Sequence, residues 1–168
     1  MKSAEFWIDK LEMTPLPEEG GMYKEVYRSE ESIPKSALPE RFGGSRSYST
    51  SIYYLLKHPE FSAFHRLKQE EIWHFYEGSP LTIHVIDQDG NYFFKRLGRN
   101  IDKDETLQLV IYAGWLFAAA VKQAGSYSLI GCTVAPGFEF DDFEALSKNK
   151  LLESYPKHAE VIQKFTRT

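Results

Sequence analysis

A chain of 168 residues suits one domain large enough to bury a core, and its 42% hydrophobic and 26% charged residues exclude both a disordered chain and a membrane span. The 20 Lys and Arg are scattered under a net charge of −4, so no basic stripe exists to neutralise phosphates and no nucleic-acid partner is expected. One cysteine, Cys132, permits neither an internal disulfide nor a thiolate metal site.

In chain order, the N-terminal run MKSAEFWIDK carries charges where a secretory leader needs apolar residues. No later stretch reaches membrane length, so a cytoplasmic protein with no membrane partner is expected. Residues 3–13 read as a short helix: Ser3 caps it, and Phe6, Trp7, Lys10 and Leu11 recur at helical spacing until Pro15 and Pro17 end it. From Met22 to about Pro136 the chain becomes short β-branched and aromatic runs broken by turn residues. The expected strands are 22–28, 48–57, 61–67, 71–77, 80–87, 91–97, 107–112, 115–121 and 126–135. Asp89-Gly90 marks a hairpin. Segment 29–47, rich in Ser, Pro, Glu and Gly, is the longest loop and a candidate lid or partner contact. Strands at this spacing, without helices between them, predict an antiparallel barrel or sandwich. The tail, about 141–166, reads as helical. Asp141 and Asp142 precede a first turn at 143–146, Ser147 caps a second through Leu151 and Leu152, and Pro156 opens a third with Val161, Ile162 and Phe165 as its apolar face. Residues 1–168 thus form one β domain with helical ends.

The stretch from Phe61 to Gly78 carries the most chemistry. Alternation along a strand puts His65 on one face with Ala63 and Leu67, and Glu71 on one face with Trp73 and Phe75. His65, Glu71 and Gly78 resemble the first motif of the cupin superfamily, whose second His is Leu67 here and whose earlier Gly is Pro59. The second cupin motif is echoed at Tyr112-Ala113-Gly114, with Phe117 at its His position. Further segments resemble one branch, the fifth cupin family, long labelled a domain of unknown function. They are Glu19-Gly20-Gly21, Tyr23, Glu25, Tyr27-Arg28-Ser29, the run from Ser51 to Leu56, His65-Arg66, the run from Glu71 to Phe75, Ala113-Gly114-Trp115, the run from Gly131 to Phe138 and Asp142-Phe143-Glu144. Before Glu19 many members carry His-Pro where this chain has Pro17-Glu18.

The resemblance implies an all-β fold, an antiparallel jelly-roll barrel with a short N-terminal helix and a helical tail. It also implies a homodimer and a small-molecule site in the barrel. With the inward face fixed by that comparison, His65 and Glu71 are its polar, catalytic centre, and Trp73, Phe75, Trp115 and Phe117 are its walls. Such a lining would take up part of the 15% aromatic share. Glu25, Tyr53, Arg66 and His74 are further ligand-binding candidates. Metal-dependent cupins use three His and one Glu, and at those positions this chain keeps only His65 and Glu71. Two donors do not hold a divalent ion tightly, so no metal or other cofactor is expected; were one bound, His65 and Glu71 would be its ligands. His74 has the opposite parity to Glu71, and the facing of His84 is open.

Without a metal, a carboxylate beside an imidazole makes a general base near neutral pH. Some metal-free cupins, the sugar-nucleotide epimerases, work this way, with a Tyr returning the proton. The leading expectation is therefore proton transfer of the epimerase or isomerase type on a carbohydrate-like or keto substrate. The competing readings are a non-catalytic ligand-binding or sensing cupin, a metal-dependent oxygenase or hydrolase, and a buried His65–Glu71 pair with a structural role. Cys132 reads as a buried small hydrophobe, His58 and His158 as solvent-facing, and Gly20-Gly21 as a turn.

Overall fold

The structure, a computed structural model, describes residues 2–167. Its strands are β1 (Thr14–Pro15), β2 (Met22–Arg28), β3 (Ser32–Ile33), β4 (Arg46–Ser47), β5 (Thr50–Lys57), β6 (Phe61–Leu67), β7 (Glu70–Gly78), β8 (Leu81–Ile86), β9 (Tyr92–Leu97), β10 (Glu105–Thr106), β11 (Gln108–Ile111), β12 (Leu116–Val121), β13 (Tyr127–Ala135) and β14 (Phe143–Ala145). The helices are α1 (Ala4–Lys10), α2 (Lys148–Ser154) and α3 (Ala159–Lys164).

Two six-stranded sheets result, in the orders β1-β2-β5-β13-β7-β11 and β10-β9-β8-β12-β6-β14. Within them only the short β9–β10 pair is parallel. The non-consecutive neighbours, such as β5 beside β13 and β6 beside β12, carry the chain back and forth between the sheets as in a jelly roll. The expected all-β antiparallel class is what the structure has. Among the described residues, no hydrogen bonds close the sheets into a continuous barrel.

Side-chain alternation explains the layers. Along β7, Glu71, Trp73 and Phe75 are buried while Glu70, Ile72 and Tyr76 are exposed, so the strand has one inner and one outer face. The central core between the sheets includes Tyr54, Leu56, Trp73, Ile83, Phe117 and Ile130. Each such side chain contributes about 1.5–3 kcal/mol by leaving water. By contrast β8 is buried at every position, because α2 and α3 cover its outer side through Leu151, Ile162 and Phe165. The helix α1 packs in the same way on the first sheet, against Leu55, Tyr127 and Leu129.

Three local outcomes differ from the expectations drawn from sequence. The N-terminal helix is capped as expected, with Ser3 Oγ accepting from the Phe6 amide at 3.1 Å, but it ends at Lys10, and Glu12 takes a left-handed φ of 52°. Residues 143–146 do not make a helical turn. Phe143–Ala145 pairs with β6 as an edge strand, and Asp142, expected just ahead of that turn, is engaged by Arg46 at 2.6 Å. Segment 29–47 is not a bare loop; β3 pairs with β4, a 3-10 turn covers Lys35–Ala37, and Arg46 ties it to Asp142. The Asp89-Gly90 hairpin forms between β8 and β9, with Gly90 at φ 79°. Among the described residues, no helix is long and apolar enough to cross a membrane.

Candidate functional site

One cavity of about 270 Å³ opens between the sheets at the end where β2, β5, β6, β7 and β13 meet the 136–143 segment. Its apolar walls are Leu16, Ile52, Leu67, Val134, Phe138 and Phe143. Glu19, His65, Glu71 and Cys132 supply the inner polar groups, and Tyr23, Glu25, Arg28, Glu139 and Phe140 are among the rest of the lining.

His65 arrives on β6 facing inward, as the family resemblance implied, and it is 2% exposed. Its Nδ1 lies 2.7 Å from the carbonyl oxygen of Ala63. A carbonyl only accepts, so Nδ1 carries the proton and Nε2 keeps its lone pair. The ring is held between Phe143, stacked at 4.9 Å, and Phe117 at 4.1 Å. Burial lowers its pKa, outweighing the hydrogen bond to Ala63 and the charge of Glu71, so the imidazole is neutral near pH 7.

Glu71 sits on the inner face of β7, as expected from its alternation with Trp73 and Phe75. Burial, then the charge of Glu19, raises its pKa to about 7, against the opposing pull of Trp73, His65 and Cys132. No hydrogen bond or ion pair joins it to His65. The acid that approaches the ring is Glu19, whose Oε2 lies 3.7 Å from His65 Nε2. Burial also raises Glu19 to about 7, with Ser62, Tyr54 and Arg167 acting the other way.

Glu19 reaches the cavity through the turn between β1 and β2. Glu18, Gly20 and Gly21 all have positive φ, at 63°, 100° and 76°. At Gly21 a Cβ would fall 2.6 Å from the Tyr54 hydroxyl, so this position needs glycine twice over. The Tyr54 hydroxyl donates to the Gly20 carbonyl at 2.9 Å, the Ala63 amide donates to the Glu19 carbonyl at 2.9 Å, and Ser62 Oγ donates to Glu19 Oε1 at 2.9 Å. The turn is thereby fastened to β5 and β6, and its carboxyl is aimed at His65.

The other candidates are dispersed. Glu25 lines the cavity and pairs with Arg28 at 2.8 Å; Arg28 also reaches Glu139 at 2.7 Å. Trp73 and Phe117 meet edge to face at 5.9 Å within the core, and Phe75 is buried with them; none of the three lines the cavity. Trp115 packs on Phe93 and Tyr112 at a periphery of the same core. Tyr53 lies on the outer face of the first sheet, edge to face with Tyr76. Arg66 points away from His65 and pairs with Glu144 at 2.7 Å. His74 faces outward between Thr133 and Gln108, and His84 lies under the C-terminal helices against Tyr92. Cys132 is buried as expected, and its thiol lines the cavity with a pKa pushed up by burial and by Glu71 and Glu19.

A metal-binding cupin centre would need donors that this chain lacks, since Leu67 and Phe117 occupy two of the imidazole positions. The inner donor set is one nitrogen, two carboxyls and a thiol held protonated. Among the described residues, no group of three or more His, Cys, Asp or Glu side chains has an arrangement that holds an ion. These residues do not fit that centre.

Comparison with known proteins places these observations. The family model described as Cupin superfamily (DUF985) matches residues 5–146. A protein from Shewanella oneidensis is similar in structure, with a TM-score of 0.89, 40% identity and 99% of both chains covered. A hypothetical protein from Leishmania major has a TM-score of 0.89 and 36% identity, covering 99% of this chain and 100% of that one. Oxalate decarboxylase from Bacillus subtilis shares the fold at a TM-score of 0.56 and 15% identity, over 91% of this chain and 37% of its own. No curated protein matches the chain.

Proposed function

Given that the chain belongs to the Cupin superfamily (DUF985) family, we propose that its cavity binds a small uncharged hydroxy-carbonyl compound, carbohydrate-like or a keto compound, and moves a proton on it. The observation that carries this reading is a neutral imidazole, its Nε2 lone pair directed toward the cavity's carboxyls, 3.7 Å from Glu19. His65 Nε2 takes the proton from the carbon next to the carbonyl. The imidazolium so formed is stabilised by the Glu19 carboxyl, 3.7 Å from Nε2. Glu71, with a pKa of about 7, is protonated often enough to supply a proton to the developing enolate oxygen or to the opposite face of the carbon. Four carboxyls and one Arg, itself engaged by two of them, line the cavity, so the site favours an uncharged ligand over a phosphorylated one.

The test is incubation of the protein with a panel of uncharged ketoses, aldoses and hydroxyketones in D2O, followed by proton NMR. Deuterium appearing beside the carbonyl, and absent with His65→Asn of unchanged melting temperature, supports proton transfer. A ligand that raises the melting temperature yet never exchanges would replace this reading with the non-catalytic binding one.

A further inference from the structure

The outer side of the second sheet holds a second concavity that proton transfer in the barrel does not use. It is a groove of about 750 Å³ between β8, β12 and α3, within the size range of small-ligand sites. His84 forms part of its floor, 9% exposed, with Nδ1 2.7 Å from the Tyr92 hydroxyl and its ring 4.5 Å from that of Phe165. Lys122, Lys157 and Lys164 stand around it, and among the described residues none of the three is in an ion pair. Lys122 Nζ lies 5.6 Å from the Phe94 ring and Lys164 Nζ 5.4 Å from the Phe165 ring. The remaining titratable groups facing the groove are Glu60, Glu160, His58 and His158. The two imidazoles are occupied by the carbonyls of Val121 and Gly90.

We propose that this groove is a binding site for a phosphomonoester carried on a flat ring, with the phosphate between Lys122 and Lys164 and the ring against Tyr92, above the buried His84 and Phe165. Two unpaired ammonium groups match the charge of a phosphomonoester at neutral pH, about −1.5 to −2. The exposed ring of Tyr92 supplies a stacking surface. The barrel cavity, lined by carboxyls, has the opposite electrostatic character, so the two sites would take different ligands. His84 reports the arrangement: burial, then Lys122 and Lys164, lower its pKa to about 4, and an anion between the lysines would bring it back up.

The experiment follows the ring protons of His84 and His65 by NMR while AMP, inorganic phosphate or adenosine is added. AMP shifting His84 saturably and raising its pKa, phosphate doing so more weakly and adenosine not at all, is the expected result. The double variant Lys122→Gln/Lys164→Gln, altered only at exposed positions, should raise the His84 pKa without ligand and weaken AMP by about tenfold or more. The proposal is overturned if millimolar AMP leaves His84 unmoved, if adenosine matches AMP, if the double variant binds AMP unchanged, or if the response appears at His65 instead.

Discussion

Nε2 of His65 lies 3.7 Å from Oε2 of Glu19, while its Nδ1 is committed to the Ala63 carbonyl at 2.7 Å. The acid closest to the imidazole therefore comes from a turn and not from the neighbouring strand. Glu19→Gln keeps the Ser62 contact and the side-chain volume but removes the ionisable partner. Proton exchange should fall by about a hundredfold or more, within the range of general acid–base effects, while the chain stays folded. Initial rates of deuterium incorporation measure this, and full activity in Glu19→Gln would remove Glu19 from the chemistry.

The raised carboxyls also set a pH dependence of stability. Glu19 and Glu71 hold protons to about pH 7 in the folded state and release them near their ordinary 4.5 when unfolded. The folded chain thus binds more protons between those values, and stability from these groups is lost as pH rises through that window. The lowered pKa of His65 works oppositely, adding stability as pH rises toward its ordinary 6.5. Glu71→Gln removes one carboxyl from the balance, so its melting temperature relative to wild type should be higher at pH 8 than at pH 5. Parallel melting curves across that range would mean that Glu71 is not held protonated.

Of the candidate residues, His65, Glu71 and Glu25 line the cavity, and strand periodicity with the family resemblance is what made the first two legible in the sequence. The alternation of Glu71, Trp73 and Phe75 along β7, and the parity of His65 on β6, follow from a period of two that the structure keeps. Periodicity says which side chains share a face, and the family resemblance says which face is inward, but neither says whether an inward ring meets empty space or another ring. Trp73 and Phe117 face inward and fill the core, while the cavity is walled by residues such as Ile52, Val134 and Phe138. Glu19 had no period to announce it. It lies in a turn whose path depends on positive φ at Glu18, Gly20 and Gly21 and on bonds to Ser62 and Tyr54, which are remote in sequence. The edge strand at 143–145 was likewise hidden, because Asp142 looks like a helix cap until Arg46 is seen to claim it.

That claim has a measurable cost when broken. Arg46 is 4% exposed and makes two hydrogen bonds of 2.6 Å to Asp142, which also accepts from Gln69 at 2.6 Å. Burial pushes the Asp142 pKa upward, but the bonds from Arg46 and Gln69 outweigh it and the value is lowered. Asp142→Ala leaves a buried guanidinium without its counter-charge and should destabilise the fold by about 3–5 kcal/mol. Urea denaturation checks this; a change below about 1 kcal/mol would show that the pair is easily replaced by solvent.

At the mouth of the cavity, Arg28 joins β2 to the segment after β13. Its guanidinium reaches Glu25 at 2.8 Å, Glu139 at 2.7 Å and the Phe138 carbonyl at 3.1 Å. The pairs are partly exposed, so Arg28→Gln should cost no more than about 1 kcal/mol of stability. Its effect is expected in motion, because Phe138 and Phe140 line the opening and hang from the segment that Arg28 holds. Amide hydrogen exchange at 137–141 should accelerate in Arg28→Gln while the amides of β6 and β7 stay protected. A ligand bound in the cavity should dissociate faster from the variant, raising Kd through the off-rate with little change in association. Unchanged exchange at 137–141 would mean that the backbone bonds of that segment, including the Gly137 amide to the Ser47 carbonyl at 2.7 Å, hold the mouth without Arg28.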